Sequence, residues 1–222
     1  MYLIEKLSNR FASQISVILG FDKDYEEILA YGAFAILHIL WSILLITVFG
    51  ILFGVLLESL IISFTASILR KYSGGVHATS PNRCATIGTI IFVGFSVAIN
   101  QFNSINLVFA LIFHILSFIY AYYIISRYCP VDTPNKPIIK QESKERLRKK
   151  SFQFIHLCLI CSVGLFILYF QRINYPAMKL ILAICIGLVW QSFTLTRLGH
   201  LIISNLDILL AKTSFITGGD KR

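Results

Sequence analysis

The chain has 222 residues, 56% of them hydrophobic and only 14% charged, with a formal net charge of +9. A soluble domain carries charge on roughly a quarter of its residues, so a water-soluble globular fold is excluded. The positive balance does not indicate nucleic acid: the basic residues crowd beside apolar stretches, where positive charge marks the cytoplasmic side of a membrane protein, and no nucleic-acid motif is present.

The apolar stretches run for roughly 15–25 residues, enough to cross about 30 Å of hydrocarbon as helix. Helices satisfy every backbone group within their own segment, and the absence of a period of two argues against a barrel. The expected fold is all-α: a polytopic transmembrane bundle of about six spans behind an N-terminal amphipathic helix.

Residues 1–30 form the N-terminal segment. Leu3, Leu7, Phe11, Ile15 and Ile18 recur every three to four residues and make one helix face. That face suits the membrane interface or packing on the rest of the protein. Glu5, Lys6, Asn9, Arg10 and Gln14 interrupt it, so it does not read as a cleaved signal peptide.

The membrane domain covers 31–211. Tyr31 to Leu69 is too long for one span and suits two, with the turn near Gly50 or Gly54. Glu58 lies in the second of them; an ionisable residue there is a functional suspect, although a polar interhelical or interfacial contact is its commoner role. A polar loop follows, Arg70 to Cys84, and then a third span over Ala85–Ile99. The fourth covers Leu107–Ile125. The most charged segment, 126–151, opens with the proline-rich run Cys129 to Pro137 and closes with a polar helical lead-in, Lys140 to Lys150. The fifth span is Phe152–Phe170 and the sixth Pro176–Phe193. Leu198–Leu210 is too short for a confident seventh and reads as an interfacial helix or the end of the core, before a tail at 212–222. With six spans both termini share a side with the 70–84 and 126–151 loops. That side holds nearly all the basic residues, so it is expected to be cytoplasmic.

Five cysteines occur. Cys158, Cys161 and Cys185 lie inside apolar spans, where even the CxxC spacing of the first two reads as small apolar filling. Disulfides on the cytoplasmic side are not expected. Cys84 differs. Ser80-Pro81 reads as an N-cap followed by the first helical residue, which puts Cys84 in the first turn of a helix. The helix dipole there favours an anion, and the thiolate is the nucleophilic form of cysteine. Arg83 adds positive charge next to it. His77 lies seven residues upstream across a glycine-rich loop, in a position to take the thiol proton and return it to a leaving amine. Most Cys–His pairs at such a spacing are accidental, since geometry rather than spacing identifies a catalytic pair. A metal site would need further ligands beside His77 and Cys84, so neither metal nor cofactor is expected. His38, His114, His156 and His200 read as packing or interface residues.

Two stretches, Arg70-Lys71-Tyr72-Ser73-Gly74-Gly75-Val76-His77-Ala78-Thr79-Ser80-Pro81-Asn82-Arg83-Cys84 and Pro130-Val131-Asp132-Thr133-Pro134-Asn135-Lys136-Pro137, together resemble the two motif loops of the accessory gene regulator protein B (AgrB) family, bacterial membrane peptidases that mature cyclic quorum-sensing peptides. Length, span number and the N-terminal amphipathic segment fit as well, so the resemblance covers nearly the whole chain. It implies His77 as base and Cys84 as nucleophile of a cysteine endopeptidase in the bacterial cytoplasmic membrane. The implied substrate is a precursor peptide with an amphipathic leader and an acidic tail. The signal portion would pass through a Cys84 thioester to a thiolactone or lactone ring. A homodimer is implied too, and membrane lipid is the surrounding partner.

The third catalytic member is not supplied by the resemblance. Asp132 and Asn82 are candidate orienting residues, although Asp132 also suits shaping the proline-rich loop and Asn82 suits helix-start bonding. Lys140, Lys144, Arg146, Arg148, Lys149 and Lys150 are candidates to grip the acidic tail; setting topology and meeting anionic lipid is the ordinary role of such a cluster. The rival functions are a peptide transporter, which would carry polar residues through several spans and internal repeats, and a non-catalytic signalling scaffold. Neither needs a cysteine at a helix start.

Overall fold

Long apolar runs punctuated by glycine, proline and capping side chains fold into eight helices among the residues that the computed structural model describes, 2–76, 78–102, 105–131, 140–171 and 177–212. They are α1 (Tyr2–Leu19), α2 (Lys23–Leu52), α3 (Leu56–Ser73), α4 (Pro81–Asn100), α5 (Leu107–Tyr128), α6 (Gln141–Phe170), α7 (Ala177–Phe193) and α8 (Arg197–Lys212). The fold is an all-helical membrane protein.

Local chemistry sets several of the boundaries. Asp22 caps α2 by accepting from the Tyr25 amide at 3.0 Å, and Asn106 caps α5 by accepting from the Val108 amide at 2.8 Å. The α2–α3 turn falls at Gly54, whose φ of +66° lies in the left-handed region that a side chain disfavours. The charged lead-in to the fifth expected span is continuous with it, so α6 is one helix of 30 residues.

Helices stand at all six expected spans. Four of them, α2, α4, α5 and α6, are long and apolar enough to cross a membrane on their own. The bent pair α7 and α8 would make a fifth. The count of six is therefore approximate, and the two shortfalls have different causes. α3 is diluted by Glu58, Ser59, Ser63, Thr65, Arg70 and Lys71. α7 is apolar but has only 17 residues.

These two helices form the middle of the bundle. α7 packs against α3, α5, α6 and α4, and most of its residues are buried. Ile181, Cys185 and Leu188 of α7 meet Leu69, Ile125 and Ile155 in the main core. At the α3–α7 crossing a Cβ on Gly187 would stand 2.7 Å from Thr65 Cβ and 2.9 Å from the Ile62 carbonyl, so the backbones approach as closely as small residues allow.

The exterior is apolar instead. Ile36, Leu40 and Leu44 of α2 and Ile112, Leu116 and Ile119 of α5 are exposed, while Ser59, Ser117, Ser162, Gln191 and Ser192 are buried. That is the distribution expected when the surrounding solvent is lipid and packing and polar contacts hold the helices together.

The N-terminal helix packs on α2, but not through its large apolar face. Ser8, Ala12 and Ser16 are the buried positions, whereas Leu3, Leu7, Phe11 and Ile18 point outward. Small side chains allow close helix–helix approach, which leaves the bulky face free for the membrane interface. The C-terminal helix α8 stands at 90° to α7.

Candidate active site

Cys84 is half-buried in the first turn of α4. Ser80 takes the extended N-cap conformation and Pro81 opens the helix, as the dipeptide predicts. The cap works differently from expectation, because the Ser80 hydroxyl accepts no amide. Its carbonyl accepts the Cys84 amide at 3.0 Å, so Cys84 makes the first intrahelical bond of α4. The Asn82 backbone carbonyl accepts from the Thr86 hydroxyl at 3.0 Å.

The loop before this helix is held at three points. Gly74 caps α3, donating its amide to the Arg70 carbonyl at 2.9 Å, with φ +75° and ψ −154°. Gln191 of α7 is buried and donates through Nε2 to the Gly74 carbonyl at 2.8 Å and to Ser73 Oγ at 3.0 Å. Finally, the two sequence motifs meet. Val131 donates its amide to the Ser73 carbonyl at 2.9 Å, and Gly74 and Val131 form a parallel β-bridge. His77 and Asp132, the expected base and a candidate orienting residue, lie outside the described residues.

Arg70, in the last turn of α3, reaches back with Nη2 to the Val76 carbonyl. Burial pushes its guanidinium below the ordinary value, and the negative charge that Cys84 carries as a thiolate would work the other way. Arg70 Nε is buried without a partner among the described residues.

A second charged cluster lies directly beside Cys84. Arg83 Nε donates to Asp207 Oδ1 at 2.6 Å, and both side chains are more than nine-tenths buried. Asp207 Oδ2 accepts from the Thr79 amide at 3.0 Å and from Thr79 Oγ1 at 2.7 Å, while Arg83 Nη2 also bonds to Thr79 Oγ1. Burial raises the Asp207 carboxyl, but the Thr79 and Arg83 hydrogen bonds and the Arg83 charge outweigh it and hold the group below the ordinary carboxylate range.

The basic segment opens α6. Lys140 is its N-cap residue; Lys144 is half-buried; Arg146, Arg148, Lys149 and Lys150 are exposed. Arg148 donates to the Ser126 carbonyl. Lys150 Nζ lies 5.7 Å from the centre of the Tyr72 ring, which brings one end of the cluster to the helix turn that carries Arg70.

The other cysteines do not share this setting. Cys129 is buried with its thiol 3.3 Å from Ser151 Oγ, and burial pushes that thiol up against the opposing effects of Ser151 and Arg148. Cys158 and Cys185 are buried in the bundle. His114 bonds Ser162 Oγ at 2.7 Å between two phenylalanines, a packing role. Glu58 is buried in the first turn of α3, at the opposite end of that helix from Arg70.

Sequence reasoning gave no role to Arg70, Gln191, Thr79 or Asp207. One signal for Asp207 was available, since it is the sole acidic residue between Glu145 and the tail. A lone carboxylate in an otherwise apolar segment needs a partner.

The family model described as Accessory gene regulator B matches residues 4–195. A putative AgrB-like protein of Clostridium perfringens (strain SM101 / Type A) is 37% identical over 207 residues, covering 92% of this chain and 97% of the relative. The accessory gene regulator protein B of Staphylococcus intermedius is 28% identical over 160 residues, 72% of each chain. No solved structure matches.

Proposed function

The chain belongs to the accessory gene regulator B family, and on that premise we propose that it is a membrane cysteine endopeptidase that cleaves a precursor peptide and leaves its signal portion as a ring. Family membership implies a part in accessory gene regulator quorum sensing.

The observation that carries the chemical reading is the placement of Cys84. It is half-buried in the first turn of α4, beside a buried guanidinium, in a loop braced by three other elements. An anchored nucleophile near a fixed positive charge is what acyl transfer requires.

In the proposed reaction His77 takes the Cys84 proton, and the sulfur attacks the carbonyl carbon at the junction of signal and tail. The C–N bond breaks, His77 protonates the departing amine, and the signal remains as a thioester. A thiol or hydroxyl inside the signal then attacks that thioester. The ring bond forms, the C–S bond breaks, and the proton returns to Cys84. No water is consumed, so a site at the membrane edge that limits water favours the ring over hydrolysis.

Lys150, near Tyr72, and the exposed Lys149 beside it in sequence suit an acidic tail held within reach of the site. The amphipathic leader would lie in the interface, which confines its search to two dimensions. The positive-inside bias assigns this face to the cytoplasm.

The test is a cleavage assay in liposomes with acidic-tailed precursors, read by mass, with Cys84→Ala and His77→Ala as controls. The expected products are a free tail and a ring lighter by one water than the linear signal, both lost in either variant. Cleavage that survives Cys84→Ala removes the nucleophile and the mechanism with it. Transport of intact peptide without cleavage would favour an exporter.

A further inference from the structure

The C-terminal helix α8 begins at Arg197, beyond the residues that the family model matches, yet it reaches the helix start that carries Cys84. Gly199, Ile203 and Asp207 recur every four residues and form its buried face. Leu198, Leu201, Ile208 and Leu209 are exposed. At the head of α8 a Cβ on Gly199 would stand 2.1 Å from the Phe193 carbonyl, so α8 crosses tightly over the end of α7.

We propose that Asp207 is a positioning residue for Cys84, with α8 acting as a latch on the catalytic helix; this rests on the reading of Cys84 as nucleophile. Thr79 lies just before the N-cap Ser80, and Arg83 lies three residues after it in the first turn, next to Cys84. A single carboxylate holds both, Oδ2 on the Thr79 amide and hydroxyl and Oδ1 on Arg83 Nε. Joining the two sides of the N-cap determines where α4 begins and how its first turn is rotated. The Ser80 hydroxyl supplies no cap bond, so the start of α4 is held from outside the helix, through Thr79 and the Arg83 side chain. The orientation of the Cys84 sulfur relative to the loop of Arg70 and Val76 follows from it.

A buried ion pair can also serve packing alone, and the two roles separate by experiment. Replacing both partners with apolar residues of similar size commonly restores the stability that breaking the pair removes. It cannot restore the bonds that Asp207 makes to Thr79.

The full chain in liposomes is compared with Asp207→Asn, Asp207→Glu and the double variant Arg83→Met/Asp207→Leu. Three readouts are taken: thermal stability, kcat and KM for precursor cleavage, and the alkylation rate of Cys84 at fixed pH followed on its own peptide by mass. The expected result is a fall in kcat of about 10–100-fold for Asp207→Asn with KM little changed, the size of effect that a misplaced reacting group produces. Alkylation of Cys84 slows in parallel, and Asp207→Glu recovers part of both rates. The apolar double variant is stable yet as slow as Asp207→Asn. Unchanged kcat and alkylation in Asp207→Asn overturn the latch, as does a double variant that regains both rates with its stability. If Asp207→Asn does not fold, the double variant decides alone. Alkylation reports on the latch even where no precursor is cleaved, so failure of the peptidase reading is distinguishable from failure of the latch.

Discussion

Replacing Gly74 with alanine tests the junction on which the site is built. At φ +75° and ψ −154° the residue occupies backbone space that is close to glycine-only, and forcing another residue there costs ~1–3 kcal/mol. The new Cβ would stand 2.2 Å from the Val131 carbonyl oxygen, a backbone atom that cannot turn aside like a side chain. Relieving such overpacking costs ~1–3 kcal/mol more and separates the two loops at the Ser73–Val131 hydrogen bond. Gly54→Ala is the matched control, because its φ is +66° and nothing lies within 4 Å of its would-be Cβ. It carries a positive-φ backbone cost without the collision. The extra destabilisation of Gly74→Ala corresponds to a Tm roughly 2–12 °C below that of Gly54→Ala, taking about 2–4 °C per kcal/mol for a chain of this size. The assay is thermal unfolding in detergent, followed by precursor cleavage in liposomes, where Gly74→Ala should also lose activity that Gly54→Ala retains. Equal melting temperatures with equal activities would refute the argument that the two loops are joined through Gly74 and Val131.

Gln191→Leu removes the donor to Ser73 and the Gly74 carbonyl inside the bundle. It should destabilise by ~1–3 kcal/mol, with faster proteolysis of the loop after Ser73 as a second readout. Gly187→Ala should cost ~1–3 kcal/mol by forcing α3 and α7 apart; adding Thr65→Ala should recover only a small part of this in a melting experiment, because it removes Cγ2 but leaves the residue 65 Cβ and the Ile62 carbonyl in the way. The stability that Asp207 contributes is fully present above the ordinary carboxylate value and is lost as pH falls through its lower folded value. The Tm difference between the chain and Asp207→Asn should therefore stay flat from pH 8 to 5 and shrink only below about pH 4. Neutralising Lys149 and Lys150 to glutamine should raise KM for an acidic-tailed precursor and flatten its salt dependence, with kcat little changed; an unchanged KM would leave the cluster its topological role.

Much of the fold was legible because lipid imposes simple rules. Apolar length predicts helices, so the stretches at 85–99, 107–125 and 152–170 foretell α4, α5 and α6. Turn chemistry predicted the helix start at Ser80-Pro81 and narrowed the α2–α3 break to Gly50 or Gly54, between which the structure chose Gly54. The first two spans and the last were harder to read. α3 carries buried polar residues that weaken its apolar signal, and α7 is short because its surroundings are protein rather than lipid. The outward turn of the large apolar face of α1 was not readable either, since one amphipathic pattern serves equally to face lipid and to face protein.

By itself the sequence determined that this is a helical membrane protein of the accessory gene regulator B family with a cysteine in the first turn of a helix. These properties depend on composition, periodicity and residues close together in the chain. Only the tertiary structure decided what surrounds that cysteine. Gln191 meets Gly74 across 117 positions, and Asp207 meets Arg83 across 124. Such pairings leave no periodic trace, because a buried donor requires an acceptor nearby in space and is indifferent to where in the chain that acceptor lies.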